Sequence, residues 1–408
     1  RGHQGHGRRL LPPEQVNHIA DGKPLACAEC GALLLGEDPD PVRHQVTELP
    51  RVKPEVTEYR RHTLQCVACG AVTHGEWPAQ MPSGSFGPRV QATVGYLTGR
   101  MGMSQRDVEE VMDAVFHTEV SLGSIPVLEQ AVSNALLQPV AEAQVYVQEQ
   151  SRANVDETSW REQAKRNWLW VGVTEWVTVF QVMATRGQEG LKKLLGAFAG
   201  IVGSDRLSAY NLVDPKRRQL CWAHLRRDFQ AFADRCGESA RIGQALLGEA
   251  GKLFELWYRV RDGTLSRGDF QVEMRPVRAC VGELLREGSA LSHLSACDAQ
   301  AGAKTRRTCA NLLKLEEALW TFVSVEGVEP TNNAAERALR RGVLWRRRSF
   351  GTQSEAGSRF VERVLTAVTT LRQQGRDVLE YLTEACAAAI QEETPPSLLP
   401  VYVASSNP

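Results

Sequence analysis

The sequence predicts an α/β protein: a mixed five-stranded sheet with flanking helices, interrupted by a helical insertion and preceded by a small cysteine-bearing module. Three observations carry that expectation. From Ala153 onward, three strand-like segments follow at short spacing, ANVDETSW, NWLWVGVT and WVTVFQVMATRG, dense in the β-branched and aromatic residues that fit a pleated surface. A helical stretch, QEGLKKLLGAF, and a further apolar strand, GIVGSD, come directly after them, so strand and helix signals mix as they do in layered α/β folds. Upstream, CAEC and CVAC repeat one spacing.

Length and composition set the bounds. At 408 residues the chain suggests two or three domains. Hydrophobic content of 42% with 24% charged residues describes a globular protein and excludes a disordered one. Lys plus Arg and Asp plus Glu are 48 each, so net charge names no partner; the arginines nevertheless bunch, most densely between Arg337 and Arg348. No apolar run approaches a membrane span. With no secretory segment at the start, the expected location is cytoplasmic. The chain opens at Arg1 without methionine and so reads as a fragment or a processed form.

The elements divide as follows. Residues 1–20, beginning RGHQGHGRRLLPPE, form a flexible basic arm, open to a role in phosphate contact or to none beyond solvation. Residues 21–80 hold the paired cysteines. Cys27 and Cys30, then Cys66 and Cys69, are each followed by glycine, which permits the tight turn of a knuckle. Two such knuckles let four thiolates close a tetrahedral shell around one structural zinc. With strand-like alternation between them, they predict a zinc-ribbon-like module. His44, His62 and His74 are expected at the surface. The remaining cysteines (Cys221, Cys236, Cys280, Cys297, Cys309, Cys386) are expected as buried free thiols.

Trp77–Pro88 is a Pro/Gly/Ser linker. Residues 81–150 predict short helices: one from Arg89 to about Arg100, one capped by Ser104, and one capped by Ser121 or Ser124 that continues toward Asp156. Their turns suit a helix-turn-helix that binds DNA and equally a plain helical spacer. Residues 151–228 form the first part of the core. Asp156 stands on its first strand, and Asp205 ends the strand GIVGSD. A last strand, RRQLCWAHLRRDF, is expected to carry His224, Arg226 and Arg227. Three strands, a helix, a strand ending in aspartate and another strand is the order of a ribonuclease H-like core. In that order the first and fourth strands are neighbours, so Asp156 and Asp205 can share a metal. Residues 229–325 predict a helical insertion without a chemical motif. Residues 326–392 return to the core, where Asn332 or Asn333 caps a helix whose first turns hold Glu336, Arg337, Arg340 and Arg341. Glu336 and Arg340 share one face, which fits a surface ion pair; a carboxylate near a helix start, ringed by arginines, is also what a phosphodiester site requires. Arg346, Arg347 and Arg348 follow. Residues 393–408 are a tail.

The set NVDETSW, GSDRLSAYN, CWAHLRRDF and NNAAERALR resembles the insertion sequence 66 family of bacterial DDE transposases, and the cysteine module resembles that family's amino-terminal segment. The resemblance covers nearly the whole chain. It implies cutting and joining of DNA at element ends by an acidic triad, Asp156, Asp205 and Glu336, with two Mg2+ ions. Asp156 would bridge the pair while Asp205 and Glu336 each hold one. Two such ions clamp the attacking and leaving oxygens of an in-line displacement, and magnesium's preference for oxygen donors suits carboxylates. His224 and the arginines (Arg226, Arg227, Arg337, Arg340, Arg341, Arg346, Arg347, Arg348) would position or neutralise phosphate; for His224 a structural place beside the core is an equal expectation. The implied partners are DNA, further copies of the chain on DNA, and accessory proteins encoded by the same element. Two other functions fit the residues: a nuclease or resolvase that cleaves without joining, and a domesticated zinc protein that only binds DNA. The intact carboxylates speak against the second.

Overall fold

The computed structural model of the protein describes residues 9–78, 81–82, 84–291 and 299–400. The first residues of the basic arm, the segment 292–298 with Cys297, and the end of the tail lie outside them. The chain divides into two units, Arg1–Glu55 and Val56–Pro408. In the first unit, Cys27 N–H donates to Ala32 O and Gly31 N–H to Cys27 O, with Gly31 left-handed at φ 70°. In the second, β1 (Thr63–Gln65) and β2 (Val72–His74) form an antiparallel hairpin. At its tip Cys66 N–H donates to Ala71 O and Gly70 N–H to Cys66 O, with Gly70 at φ 74°. The two C-x-x-C-G segments thus fold into the same knuckle, and each glycine supplies the conformation that an L side chain resists.

The second unit is built on a five-stranded sheet of order β5-β4-β3-β6-β7. Its strands are β3 (Arg152–Glu162), β4 (Lys165–Val173), β5 (Thr178–Met183), β6 (Ile201–Ser204) and β7 (Arg218–Leu220). The first three form an antiparallel meander, while β6 runs parallel to β3 and β7 parallel to β6. The β3–β4 reversal is a two-residue turn with both Gln163 and Ala164 at positive φ, the backbone that matches strand twist. Gln163 N–H is tied to Thr352 O at 3.0 Å.

The helices are α1 (Pro88–Gly95), α2 (Gln105–Ala114), α3 (Ser124–Ala135), α4 (Leu137–Glu149), α5 (Gln188–Leu195), α6 (Trp222–Ala233), α7 (Gly237–Arg261), α8 (Arg267–Ser289), α9 (Ala299–Leu313), α10 (Glu316–Leu319), α11 (Thr321–Ser324), α12 (Asn333–Ser349), α13 (Glu355–Gln373) and α14 (Val378–Gln391). Ser104 caps α2 in a reciprocal box with Asp107, as its sequence indicates. The expected third helix is two: Leu136 breaks it into α3 and α4; the residue ahead of α3 is Gly123, and the Ser121 hydroxyl accepts the Ser124 N–H at 3.3 Å. Buried Ile125, Leu128 and Val132 hold α3 within the helical layer, against α1, α13 and α14, and α3 contains no Lys or Arg.

Strand β3 has two distinct faces. Val155 joins a core with Trp170, Leu194 and the α1, α13 and α14 residues. On the other face, Trp160 packs with Leu169, Val171 and Phe180 under Ala335 and Leu339 of α12. Gly342 permits that approach, because a Cβ there would overlap Leu169 Cδ2. The edge strand β5 is closed by α13: Thr370 Oγ1 accepts from Thr178 N, Thr366 Oγ1 from Phe180 N at 3.0 Å, and Glu362 Oε1 from Val182 N. Spaced four residues apart, these side chains satisfy the backbone donors that a bare edge would present.

Helices α6 to α11 form the insertion around a separate aromatic core of Trp222, Phe229, Trp257, Phe270 and Phe322. Cys221, Cys309 and Cys386 are buried free thiols and Cys280 is half-buried. Cys236 departs from the expectation: it is disulfide-bonded, and its isolated position in the sequence held no sign of a partner.

Candidate active site

Asp156 lies in the middle of β3, paired in register with Val171, on the face that α12 covers. Its Oδ1 accepts the Glu157 amide at 2.9 Å. Burial first, then the charge of Glu157, then those of Asp205 and Glu336, push its carboxyl from 3.8 up to about 7, against the opposing pull of that amide. The two more distant members of the expected triad are therefore both within electrostatic reach of the first.

Asp205 follows β6 directly. Strands β3 and β6 pair Asn154 with Gly203, so Asp156 and Asp205 stand the same step beyond that pair on neighbouring parallel strands. Asp205 Oδ1 accepts Leu207 N–H at 2.8 Å, a turn that fixes the carboxylate against its own backbone. Beneath it, the fully buried Arg218 of β7 donates to Asp205 O at 2.7 Å and to Ser204 Oγ at 3.1 Å. Burial lowers Arg218 to about 10, which leaves it cationic at neutral pH.

Glu336 occupies the first turn of α12. Besides the packing of Ala335 and Leu339 on the sheet, Asn332 ties the start of this helix to β3. The buried Asn332 amide donates to Val155 O at 2.8 Å, and Asn332 N–H donates to Cys221 Sγ at 3.1 Å. Trp222 N–H donates to Pro330 O at 2.8 Å. The starts of α6 and α12 are thereby stitched together beside β3. Asn332 does stand at the helix boundary, but its side chain caps nothing; it holds the helix to the strand that carries Asp156.

The expected strand for His224 is corrected. RRQLCWAHLRRDF divides into β7 and α6, with His224, Arg226 and Arg227 on the helix. Trp222, Leu225, Phe229 and Phe232 are buried at helical spacing, a period that the apolar run at its start obscured. The helix turns His224 Nδ1 to 3.3 Å and Arg227 Nη2 to 3.6 Å from Glu336 Oε1. Cys221 Sγ, a ring nitrogen of His224 and a Glu336 oxygen lie within 4.8 Å of one another. Burial raises the Cys221 thiol, so at neutral pH it stands as a protonated acceptor for Asn332. His224 Nδ1, Glu336 Oε1 and Asn332 Oδ1 are buried without a hydrogen-bond partner among the described residues.

Asp156, Thr158, Glu336, Arg337 and Arg340 line a cleft of about 510 Å3. Arg341, Arg346 and Arg348 are engaged within the protein: Arg341 donates to Arg100 O at 2.8 Å, Arg348 to Gly102 O at 2.9 Å, and Arg346 to Thr158 Oγ1 and Ser159. Arg347 is exposed.

Glu157 gave no sequence signal beyond its neighbour. It lies on the opposite face from Asp156, where the Tyr210 hydroxyl donates at 2.6 Å and Arg186 Nε at 2.9 Å. Burial raises its carboxyl, and these two donors oppose the rise. Together they pin β3 from behind.

At the knuckles, the Cys27 thiol is lowered by the backbone N–H groups of Cys30 and Glu29, and the Cys66 thiol by those of Cys69 and Ala68. Thiolates so favoured are ready metal ligands.

Comparison with known proteins agrees with this architecture. Residues 24–70 match the zinc-finger binding domain of transposase IS66, and residues 83–359 match the transposase IS66 family. The uncharacterized protein y4hP of Sinorhizobium fredii is 26% identical over 404 residues, covering 89% of this chain and 70% of that protein. The uncharacterized protein y4qI of the same organism is 26% identical over 246 residues, covering 55% of this chain and 44% of that protein. The chain thus spans less than half of y4qI. No helix among the described residues is long and apolar enough to cross a membrane. The match runs through the sheet, the insertion and the helix of Glu336, and the chain belongs to the IS66 transposase family.

Proposed function

We propose that the protein cuts DNA at the ends of an insertion sequence and joins the freed 3′ ends to a target, acting as a DDE transposase of ribonuclease H-like fold. The strand order, with its antiparallel meander followed by two parallel strands, supports that fold. The observation that carries the mechanism is the placement of Asp156 and Asp205 at matching steps on neighbouring parallel strands with Glu336 on the helix above; burial first, then Glu157, with smaller contributions from Asp205 and Glu336, raise the Asp156 carboxyl to about 7. Three half-buried carboxylates, with His224 and Arg227 the basic groups within ion-pair distance among the described residues and both at Glu336 Oε1, form a cluster of like charge that a cation would relieve. All-oxygen donors suit Mg2+, and Asp156, Asp205 and Glu336 would hold it. When bound, a pair of such ions stabilises both the entering and the leaving oxygen at phosphorus.

The chain's own residues supply the rest. Arg337 and Arg340 line the cleft and would bind the phosphate oxygens on either side of the scissile bond. Arg227 and His224 hold Glu336 from the α6 side, so its carboxylate enters the cleft in one orientation. Arg218 and Asn332 act one step behind, fixing the backbones from which Asp205 and Glu336 project. In the amino-terminal region, Cys27, Cys30, Cys66 and Cys69 would hold one structural zinc. DNA is the substrate, bound by further copies of the chain acting together and aided by proteins of the same element.

The experiment is a strand-transfer assay with a 3′-hydroxyl donor end, a supercoiled target and Mg2+. Joined product supports the proposal. Cleavage of the donor with no joined product under any divalent ion would leave a nuclease instead.

A further inference from the structure

The helical insertion builds a second cavity, of about 480 Å3, contiguous with the acidic cleft: Asn333 and Arg337 line both. Its walls combine two properties, with a single carboxylate, Glu329, among the described lining residues. Arg226, Arg227, Arg261 and Arg337 converge on it. Of these only Arg227 has a carboxylate within ion-pair distance; Arg226, Arg261 and Arg337 have none among the described residues. Unpaired guanidinium groups gathered around one space call for an anion, and their planar donors suit phosphate. The other wall is aromatic. Tyr258 is 57% exposed, its ring 6.2 Å from that of Phe254 and tilted by 32°, and Arg226 lies over Phe254 at 5.5 Å. Trp257, by contrast, is packed between Phe270 and Phe322. The ring that faces the opening is therefore Tyr258.

A ligand that satisfies both walls joins a phosphate to a flat π-face. A paired base keeps its faces stacked within the duplex, and a cavity of this size holds one small group and no duplex. We infer that the insertion binds one unpaired nucleotide of the DNA strand, its base stacked on Tyr258 and its phosphate held by Arg226 and Arg261, next to the strand in the acidic cleft. The inference rests on the cleft being a DNA site, and it gives the insertion a role in holding the strand open beside the bond to be cut. Unstacking a base costs energy, which stacking on an aromatic side chain and phosphate contacts offset.

The test measures binding alone, in EDTA, so that cleavage plays no part. The full chain is titrated against a fluorescent duplex with a short single-stranded overhang and against the same duplex with a blunt end. Wild type is expected to prefer the overhang. Tyr258→Ala should weaken overhang binding by roughly 5- to 150-fold, the range of one aromatic–base stack, with blunt-end binding unchanged. Tyr258→Phe, which keeps the ring, should bind as wild type. Arg261→Ala should also weaken overhang binding and lower its salt dependence by about one counterion. Equal binding of the overhang by wild type and Tyr258→Ala would overturn the inference. So would displacement of the overhang by free dTMP at concentrations matching the oligonucleotide, which would mark a mononucleotide site. If the overhang preference holds while Asp156→Asn still nicks DNA, the acidic triad falls and the pocket stands.

Discussion

Replacing Asp156 with asparagine should make the metal-free protein more stable, and increasingly so as pH rises. The folded protein holds the Asp156 proton up to about pH 7, against an ordinary value of 3.8. Below about pH 4 the carboxyl is protonated in both folded and unfolded chains and contributes nothing. Between about pH 4 and 7 the unfolded chain has released the proton and the folded one has not, so stability falls by ~1.4 kcal/mol per pH unit. Above pH 7 the loss is complete, on the order of 4 kcal/mol. Solvent entering the cleft makes this an upper bound. Asp156→Asn is neutral throughout, so its stability relative to wild type should grow from about zero at pH 4 toward that bound at pH 8. The assay is urea denaturation of both proteins in EDTA at several pH values. Repeating it with Mg2+ should restore wild type by mass action and leave the variant unmoved. Parallel pH profiles for the two proteins would refute the claim that like charges and burial strain this carboxylate.

Other outcomes follow from the same contacts. Asn332→Leu keeps the volume but leaves Val155 O without its donor; it should cost about 1–3 kcal/mol in denaturation and slow nicking by displacing Glu336. Thr366→Val removes the acceptor for Phe180 N–H on the sheet edge and should cost about 1–3 kcal/mol, with nicking at permissive temperature retained. Purified protein should carry about one zinc per chain by metal analysis, and Cys66→Ser should release it; full occupancy in that variant would remove Cys66 from the ligand set.

Much of this is legible in the sequence because it is written in short-range pattern. Strands β3 to β5 announce themselves by composition, and the two C-x-x-C-G segments by glycines that the knuckles require. Asp205 can be placed beside Asp156 because a strand, a helix and a returning strand leave few topologies. What is not legible depends on contacts between distant segments. The strand expected for His224 fails because β7 is only three residues long and the apolar run that begins at its last residue, Leu220, continues into α6 without punctuation. Asn332 resembles a helix cap in sequence; only the fold shows its amide turned to Val155. Glu157 and Arg218 look like surface charges in a one-dimensional reading, and are buried here because Tyr210, Arg186 and the Asp205 carbonyl meet them. Arg346 reads as one cation in a basic run, yet its donors close on Thr158 and Ser159, while Arg347 beside it stays exposed. Charge density alone does not separate the two.

The most direct measurement of the central claim is Mg2+-dependent nicking of element-end DNA by Asp156→Asn, Asp205→Asn and Glu336→Gln, each compared with wild type alongside DNA binding. The three carboxylates acting as one site should all be required, so each variant is expected to bind DNA as wild type does and to nick at background rate. Nicking at the wild-type rate by any one of them would remove that residue from the site and contradict the triad.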